Sequence, residues 1–319
     1  MIALIVVVIA ISAVLGHQLG TSSIKPGPSP SASKTLVIEN PYGDSGIFYR
    51  GNLHVASVRG LGHDLPSAIG RWYAARGFSF LGISDVNTST WTSEYASKTF
   101  PGIPMVDASY TFGDLLAVNM DHWLPASNLQ QAVDWIARDG GMPVLAAPKS
   151  ISKPIDVATV LGLRRVFGIE VYNAELASAG QGDATALWDR MLSNGQRVYA
   201  VAGDDIESLD DPAAGKAWIE VQAAALDPSL LLNALQRGAF FASTGAEFTH
   251  LSVSGRTISA ESSAGSVLRF IGRDGRLLKI ASASVGSYQV TGTEGYVRIE
   301  SVRDDGARAW SQPFYLDWR

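Results

Sequence analysis

The sequence predicts an α/β protein that ends in a small all-β region. From about residue 37 to 244, short apolar runs alternate with amphipathic helical segments, which is typical of a parallel barrel or a doubly wound sheet. From about residue 245, short alternating strands are separated by Gly and Asp-Gly turns, the pattern of a small antiparallel β-sandwich. A hydrophobic content of 46% and a charged content of 17% agree with a well-cored protein.

The strands of the first region are predicted from apolar runs, several of them long enough to be covered on both faces of a sheet. They lie at residues 46–49 (extending to 55), 78–83, 104–109, 115–119, 143–146, 166–172 and 198–202. Helices are expected between them. Ser127, Asp183 and Asp227 mark three helix starts, and a further helix spans residues 65–76, each with glycine near its end.

The first 36 residues differ from the rest of the chain. Residues 1–16 are continuously apolar, and residues 17–36 form a linker rich in serine and proline. The apolar run fits a secretory signal cleaved near Gly16 or an uncleaved membrane anchor, although no Lys or Arg precedes it. Either interpretation predicts an extracytoplasmic protein. A cleaved signal gives an exported protein, and an uncleaved anchor gives one that is tethered to the membrane through its N-terminus. The absence of cysteine fits an exported chain without disulfides.

Charge and motif content exclude several classes of function. A net charge of −5 argues against a nucleic-acid partner, which requires a basic surface. No Gly-x-Ser-x-Gly elbow and no cysteine are present, so the sequence offers no nucleophile of either kind, and catalytic residues stay unassigned. A small-molecule ligand or substrate is therefore the expected partner.

Polar residues follow the predicted strands of the first region. Because the carboxyl ends of parallel strands share one edge of a sheet, these residues are expected to face a common mouth. One histidine among several carboxylates is suited to a metal site for oxygen chemistry. The residues concerned are Asn52, His54, Ser84, Asp85, Asn87, Asp114, Lys149, Glu170, Asn173, Asp204, Asp205 and Glu207.

In the order and spacing of its motifs, the chain resembles the polymerase and histidinol phosphatase (PHP) domain superfamily. "GNLHVAS", "GISDVN", "FPGIP", "LAAPK", "GIEVYNAE" and "AVAGDDIE" are similar to six successive family motifs. The tail from "LQRGAFFASTGAEF" onward resembles the carbaryl-hydrolase-like branch, in which a PHP barrel carries a small β-domain. The resemblance implies a distorted (β/α)7-type barrel at 37–244, a β-sandwich at 245–319, and the chemistry of metal-dependent phosphoesterases and ester hydrolases.

The resemblance also implies that the metal motifs are degenerate. Ala56, Val86, Pro104 and Ala147 stand at family ligand positions, and their side chains carry no lone pair for a metal. Asp114 and Glu207 stand where the family has histidine. A family-type centre of two or three metals is therefore unsupported by the sequence.

Two hypotheses remain open. In the first, His54, Asp85, Asp114, Asp205 and Glu207 hold one divalent cation, Mn²⁺, Zn²⁺ or Mg²⁺, that activates water against an ester, with weak or absent activity. In the second, no metal binds, and the mouth of a non-catalytic cell-envelope protein holds a small ligand. Asn52, Lys149, Asn173 and Asp204 are the expected ligand-binding residues in either case.

The remaining histidines and tryptophans are weaker candidates. His63 and His122 lie in loops near the expected rim and match no ligand motif, and His250 is expected to be structural. Trp188 and Trp218 lie on amphipathic segments and are predicted to belong to the core.

Overall fold

The computed structural model describes residues 34–43 and 45–319. Strands and helices alternate up to about residue 240, and strands with turns follow, which confirms the predicted mixed α/β class. The predicted leader at 1–16, and all but the last three residues of the linker at 17–36, lie outside the described residues. Among the described residues, no helix is both long and apolar enough to cross a membrane.

The described chain contains eighteen strands and six α-helices. The strands are β1 (Leu36–Ile38), β2 (Ile47–Asn52), β3 (Phe80–Leu81), β4 (Met105–Tyr110), β5 (Gly113–Val118), β6 (Met142–Ala146), β7 (Gly168–Asn173), β8 (Tyr199–Gly203), β9 (Trp218–Ala223), β10 (Phe240–Ser243), β11 (Phe248–Ser254), β12 (Thr257–Ser262), β13 (Ser266–Ile271), β14 (Leu277–Ala281), β15 (Val285–Gln289), β16 (Tyr296–Arg303), β17 (Arg308–Ser311) and β18 (Phe314–Trp318). The helices are α1 (Pro66–Ala74), α2 (Leu129–Arg138), α3 (Val157–Gly162), α4 (Ala174–Ala177), α5 (Thr185–Ser193) and α6 (Pro228–Gln236).

One sheet runs in the order β4-β5-β6-β7-β8. Strands β6, β7 and β8 are parallel, but β4, β5 and β6 pair antiparallel. The difference from the expected parallel pattern arises at the Thr111-Phe112 connection, because two residues can join antiparallel neighbours only. Gly113 follows with φ of 135°, a conformation that favours glycine.

A second sheet links the start of the chain to its end. Strand β2 is parallel to β3 and antiparallel to β9, and the hydrogen-bonded order continues through β10 and β17 to β16, β18 and β1. Strand β10 pairs with both β9 and β17, so the ladder crosses the predicted boundary at residue 244. The division into domains at that residue stays a prediction. A third sheet contains β11, β12 and β15.

The N-terminal cap of helix α6 is the predicted residue, whereas the cap of helix α2 differs from the prediction by one position. Asp227 caps α6, its Oδ1 accepting from the backbone N–H of Ser229 at 2.9 Å, as predicted. Helix α2 is capped by Asn128 rather than by Ser127, with Asn128 Oδ1 accepting from the N–H of Gln131 at 2.9 Å. The Asn128 side chain takes the capping position because Ser127 Oγ donates a hydrogen bond to the Gln131 side chain and does not accept from the helix backbone.

The core consists of apolar side chains on both sides of the strands. Trp188 and Trp218 are 0% and 7% exposed, which confirms their predicted core positions. A charged pair is buried beside them: Arg298 on β16 donates through Nε and Nη2 to the two carboxylate oxygens of Asp189 on α5, each at 2.7 Å. Tyr296 also donates to Asp189 Oδ1 at 3.0 Å. This pair joins a helix of the α/β region to the C-terminal strands.

We predict that Asp189→Asn destabilises the protein by about 3 kcal/mol or more. The buried Arg298 guanidinium loses the carboxylate that accepts two of its hydrogen bonds and keeps only Glu300, 3.8 Å from Nη1. Urea unfolding followed by tryptophan fluorescence measures this loss. Asp317→Asn is the matched control, since Asp317 pairs with Arg197 where both side chains are more than one-third exposed. The control should change the free energy of unfolding by less than about 1 kcal/mol. Equal effects would contradict the importance assigned to the buried pair.

Candidate functional site

A cavity of about 320 Å³ collects residues from the ends of several strands. Its lining follows β2, β3, β6, β7 and β8 in sequence or belongs to β4 and β5. Four predicted site residues line it, namely His54, Asp114, Asp205 and Glu207. Two larger clefts, of about 670 and 710 Å³, contain none of the predicted site residues, although the second shares Glu175 and Asp211 with this cavity. We consider this cavity the candidate site because ionisable groups are concentrated in it.

His54 lies between two carboxylates. Its Nδ1 is 2.8 Å from Glu170 Oε1, and its Nε2 is 2.9 Å from Asp205 Oδ1. The imidazole is 4% exposed and Glu170 is 0% exposed. Because both carboxylates accept hydrogen bonds, this geometry suits an imidazolium that donates from both nitrogens.

The charges of this triad shift its pKa values in opposite directions. Burial acts to lower the pKa of His54, but the negative charges of Asp205 and Glu170 outweigh it and hold the pKa well above its ordinary value. Burial acts to raise the pKa of Asp205, but the charge and hydrogen bond of His54 hold it below its usual value. Both directions favour the ion pair between a protonated His54 and an ionised Asp205.

Backbone and amide groups fix the two carboxylates. Glu170 Oε2 accepts from the N–H of Ala147 and from Asn173 Nδ2, both at 2.9 Å. Asn173 Nδ2 also donates to Asp205 Oδ2 at 2.8 Å, so one amide bridges both acids. Ala147 and Asp205 have φ values of 38° and 57°, which are uncommon for residues with a side chain and point to a constrained local backbone.

A second charged group crosses the cavity. Lys153 Nζ donates to Asp114 Oδ1 at 2.7 Å and to Ser109 Oγ at 2.5 Å. Asp107, on the same strand as Ser109, also lines the cavity and is 9% exposed. Its Oδ1 is buried and makes no hydrogen bond within the described residues. Burial raises the pKa of Asp107 to about 7, with His54 acting in the opposite direction.

Further acids surround the outer part of the cavity. Glu175, Glu207 and Asp211 join Asp205 in its lining. Partial burial, followed by the charges of Asp205 and Asp211, raises the pKa of Glu175. The mouth is therefore acidic, with Lys153 and His54 as its basic members.

Two predicted acids turn away from the cavity and serve the fold. Asp85 accepts from the N–H and Oγ of Ser57, at 2.6 and 2.7 Å, and from the Thr90 hydroxyl. Asp204 accepts from Tyr73 at 2.6 Å and from the backbone N–H groups of residues 215–217. Burial raises the pKa of Asp204 to about 6.

Asn52, which precedes the cavity, is also fully hydrogen-bonded. Its Oδ1 accepts from the N–H of His54 at 2.7 Å, and its Nδ2 donates to Asp204 Oδ2 at 2.5 Å. It therefore holds the turn that carries His54. Like Asn173, it contacts site residues without lining the cavity itself.

Most of the other basic residues considered for the site lie outside the cavity. Lys149 is exposed and does not line the cavity, whereas Lys153, four residues later, does. Arg59 pairs with Glu94 at the surface at 2.7 Å. His122 bonds Asp121 and Asp139, also at the surface, and His250 lines a different cleft. His63 is exposed and does not line the cavity either.

Sequence reasoning placed Glu170 at the expected mouth without giving it a role, and it omitted two members of the site, Asp107 and Lys153. Glu170 interrupts an apolar strand, and such a buried acid is itself a signal of a buried counter-charge. Asp107 interrupts β4 in the same way. The sequence around Lys153 contains no comparable signal, because the path of the loop after β6 determines whether its long side chain reaches the cavity. Within the described residues, no group of three or more His, Cys, Asp or Glu side chains is arranged to hold a metal ion.

Comparisons with known proteins identify similar folds. No family model and no curated protein matches the sequence. A crystal structure of a two-domain protein containing a predicted PHP-like metal-dependent phosphoesterase from Bacteroides vulgatus is similar over 92% of this chain and all of its own, with a TM-score of 0.51 and 12% identity.

Weaker likenesses, with TM-scores of 0.42 and 0.39, are found to the lesion-specific endonuclease PfuEndoQ from Pyrococcus furiosus and to an amidohydrolase from Chromobacterium violaceum. The first covers 60% of this chain and 56% of the endonuclease at 8% identity, and the second covers 50% and 88% at 16%. The fold of this chain is therefore similar to that of the two-domain PHP-like protein, and at 12% identity the likeness concerns the fold alone.

We predict that His54 stays protonated well above pH 6.5, and that this charge stabilises the native state. The stabilisation is fully present below the unfolded-state pKa and is lost as the pH rises through the higher folded-state pKa, at up to about 1.4 kcal/mol per pH unit. Urea unfolding between about pH 6 and 9 measures the slope, and ring ¹⁵N shifts report the protonation directly. His54→Gln should abolish this part of the slope. A neutral His54 at pH 7 would contradict the prediction.

Proposed function

We propose that this chain is a divergent PHP-fold protein whose barrel mouth binds a small molecule without a metal centre. In this proposal, residues 37–244 form the distorted (β/α)7-type barrel and residues 245–319 a small β-sandwich of the carbaryl-hydrolase-like kind. Metal-dependent hydrolysis of phosphoesters or carboxylic esters is weak or absent. Likeness of fold to the PHP-like protein from Bacteroides vulgatus supports the general kind.

The observation that carries the proposal is the double pairing of His54. A histidine binds a metal through a neutral ring nitrogen, and here each nitrogen already faces a carboxylate oxygen at 2.8 or 2.9 Å. Metal binding would have to remove a proton from an imidazolium that two negative charges stabilise. It would also have to separate His54 from Glu170 or from Asp205.

The other groups in the cavity do not fit a metal of the family type either. Ala56, Val86 and Ala147 line the cavity and provide no ligand atom. The Lys153 ammonium lies among the remaining acids, where its charge opposes a divalent cation. Asp85 directs its carboxylate at Ser57 and Thr90 instead of the cavity.

The proposed location is outside the cytoplasm, by way of the apolar segment at 1–16. A ligand-binding role agrees with an interior in which His54 is paired with Glu170 and Asp205, and Lys153 with Asp114. The buried polar network provides a preformed site of about 320 Å³, within the range of small-molecule sites.

We predict that the purified protein binds neither Mn²⁺ nor Zn²⁺ stoichiometrically near pH 7. Isothermal titration calorimetry and elemental analysis of the full chain measure this, together with a panel of aryl phosphoesters and aryl esters. One bound metal per chain, with turnover abolished by His54→Ala, would overturn the proposal. The His250→Ala variant is the matched control, because His250 lies in a different cleft.

A second prediction concerns restoration of metal affinity. The triple variant Ala56→His, Val86→His, Ala147→His places imidazoles at three positions lining one cavity, so it should gain Zn²⁺ affinity by at least about tenfold. Adding Pro104→Glu to the triple variant tests the fourth family position. A control with histidine at the exposed positions Val58, Leu124 and Leu277 accounts for non-specific binding. No difference from that control would show that the motif positions are wrongly mapped.

A further inference from the structure

We infer that the cavity recognises a small organic cation through an ammonium group, with Asp107 as the principal acceptor. This inference rests on the proposed function and specifies the ligand class of the same site. It follows from three separate features of the cavity: its excess of carboxylates, an unpaired buried carboxylate oxygen, and an ammonium group of the protein already held there.

The first feature is the charge of the lining. Six carboxylates and two basic side chains line the cavity. His54 is matched by Asp205 together with buried Glu170, and Lys153 is matched by Asp114. Glu175, Glu207 and Asp211 make no ion pair within the described residues, so the remaining field is negative and attracts a cation.

The second feature is the Asp107 carboxyl. It lines the cavity and is 9% exposed, and its Oδ1 has no hydrogen-bond partner within the described residues. A buried polar atom without a partner costs free energy that a donor can restore. An ammonium group supplies both the donor and the counter-charge. A carboxylate ligand supplies neither, and a phosphate supplies no counter-charge.

The third feature is Lys153, whose ammonium shows how such a group is held. It donates to Asp114 and Ser109 at 2.7 and 2.5 Å, although its side chain remains 35% exposed. An acidic oxygen and a hydroxyl therefore already bind one ammonium in this cavity. Asp107 belongs to the same strand as Ser109 and offers the place for a second ammonium, brought by the ligand.

These features favour an organic ammonium over a divalent metal. A divalent cation needs several oxygen ligands converging at about 2.0–2.6 Å. No group of three or more acidic or histidine side chains has that arrangement among the described residues. An ammonium needs two or three acceptors at ordinary hydrogen-bond distance, which scattered carboxylates provide.

The experiment is calorimetry of the full chain in chelator-treated buffer, with 1,4-diaminobutane and spermidine as probes. We expect saturable 1:1 binding that weakens with added salt, and no binding of 1,4-butanediol, which has the same length but no charge. Asp107→Asn should weaken diamine binding by about tenfold or more. Asp274→Asn removes the same charge from an exposed loop outside the cavity and should leave binding unchanged.

Lys153→Met gives a test of opposite sign. Removing the protein's own ammonium frees Asp114 and should strengthen binding of an added diamine, whereas an anion site would lose affinity. Should Asp107→Asn fail to fold, as judged by circular dichroism, Glu207→Gln is the alternative, because Glu207 is exposed at the same mouth and makes no ion pair.

The outcomes separate this inference from the proposed function. Absence of saturable diamine binding, or equal binding by wild type and Asp107→Asn, overturns the ammonium assignment. Binding of inorganic phosphate that Lys153→Met abolishes, without any metal, also overturns it and leaves a metal-free binding site in place. Stoichiometric Zn²⁺ or Mn²⁺ binding that requires His54 overturns both.

Discussion

The pairing of His54 with Glu170 and Asp205 is the interaction on which the candidate site depends. Glu170 is fully buried, and a buried carboxylate persists only when charge and hydrogen bonds compensate it. The imidazolium supplies the charge, and Asn173 with the N–H of Ala147 supplies the remaining hydrogen bonds. Hydrogen bonds of this triad thereby join the ends of β2, β6, β7 and β8. Replacing one member leaves the others with unmatched charge, so the three act as a unit.

Outward from this triad, the cavity changes from matched to unmatched charge. Lys153 and Asp114 form a second pair closer to solvent. Asp107 also lines the cavity, and its Oδ1 has no hydrogen-bond partner in the part of the chain that the structure describes. Glu175 and Glu207 lie further out, where mutual repulsion contributes to the raised pKa of Glu175. The paired interior and the acidic entrance are the features from which we propose binding of a cation.

Much of this arrangement could be predicted from the sequence. Apolar runs located β2 and β4 to β8, and the rule that parallel strands share a carboxyl edge brought His54 and Asp205 to one cavity. Asp114 reaches the same edge because the antiparallel strand β5 begins there. Spacing alone could not reveal the direction of each side chain. Asp85 and Asp204 follow strands as expected, yet neighbouring N–H and hydroxyl groups turn both into structural carboxylates. The sequence predicted Lys149 at the mouth, but Lys153 lines the cavity instead, because the path of the loop after β6 determines which side chain reaches it.

The most direct test of the account is a crystal structure of the full chain grown with excess Zn²⁺, with anomalous data collected at the zinc edge. The account predicts no anomalous peak within bonding distance of His54, with Nδ1 and Nε2 still facing Glu170 and Asp205 at hydrogen-bond distance. A zinc ion bound to either ring nitrogen, with one of the two carboxylates displaced or sharing the metal, would contradict it.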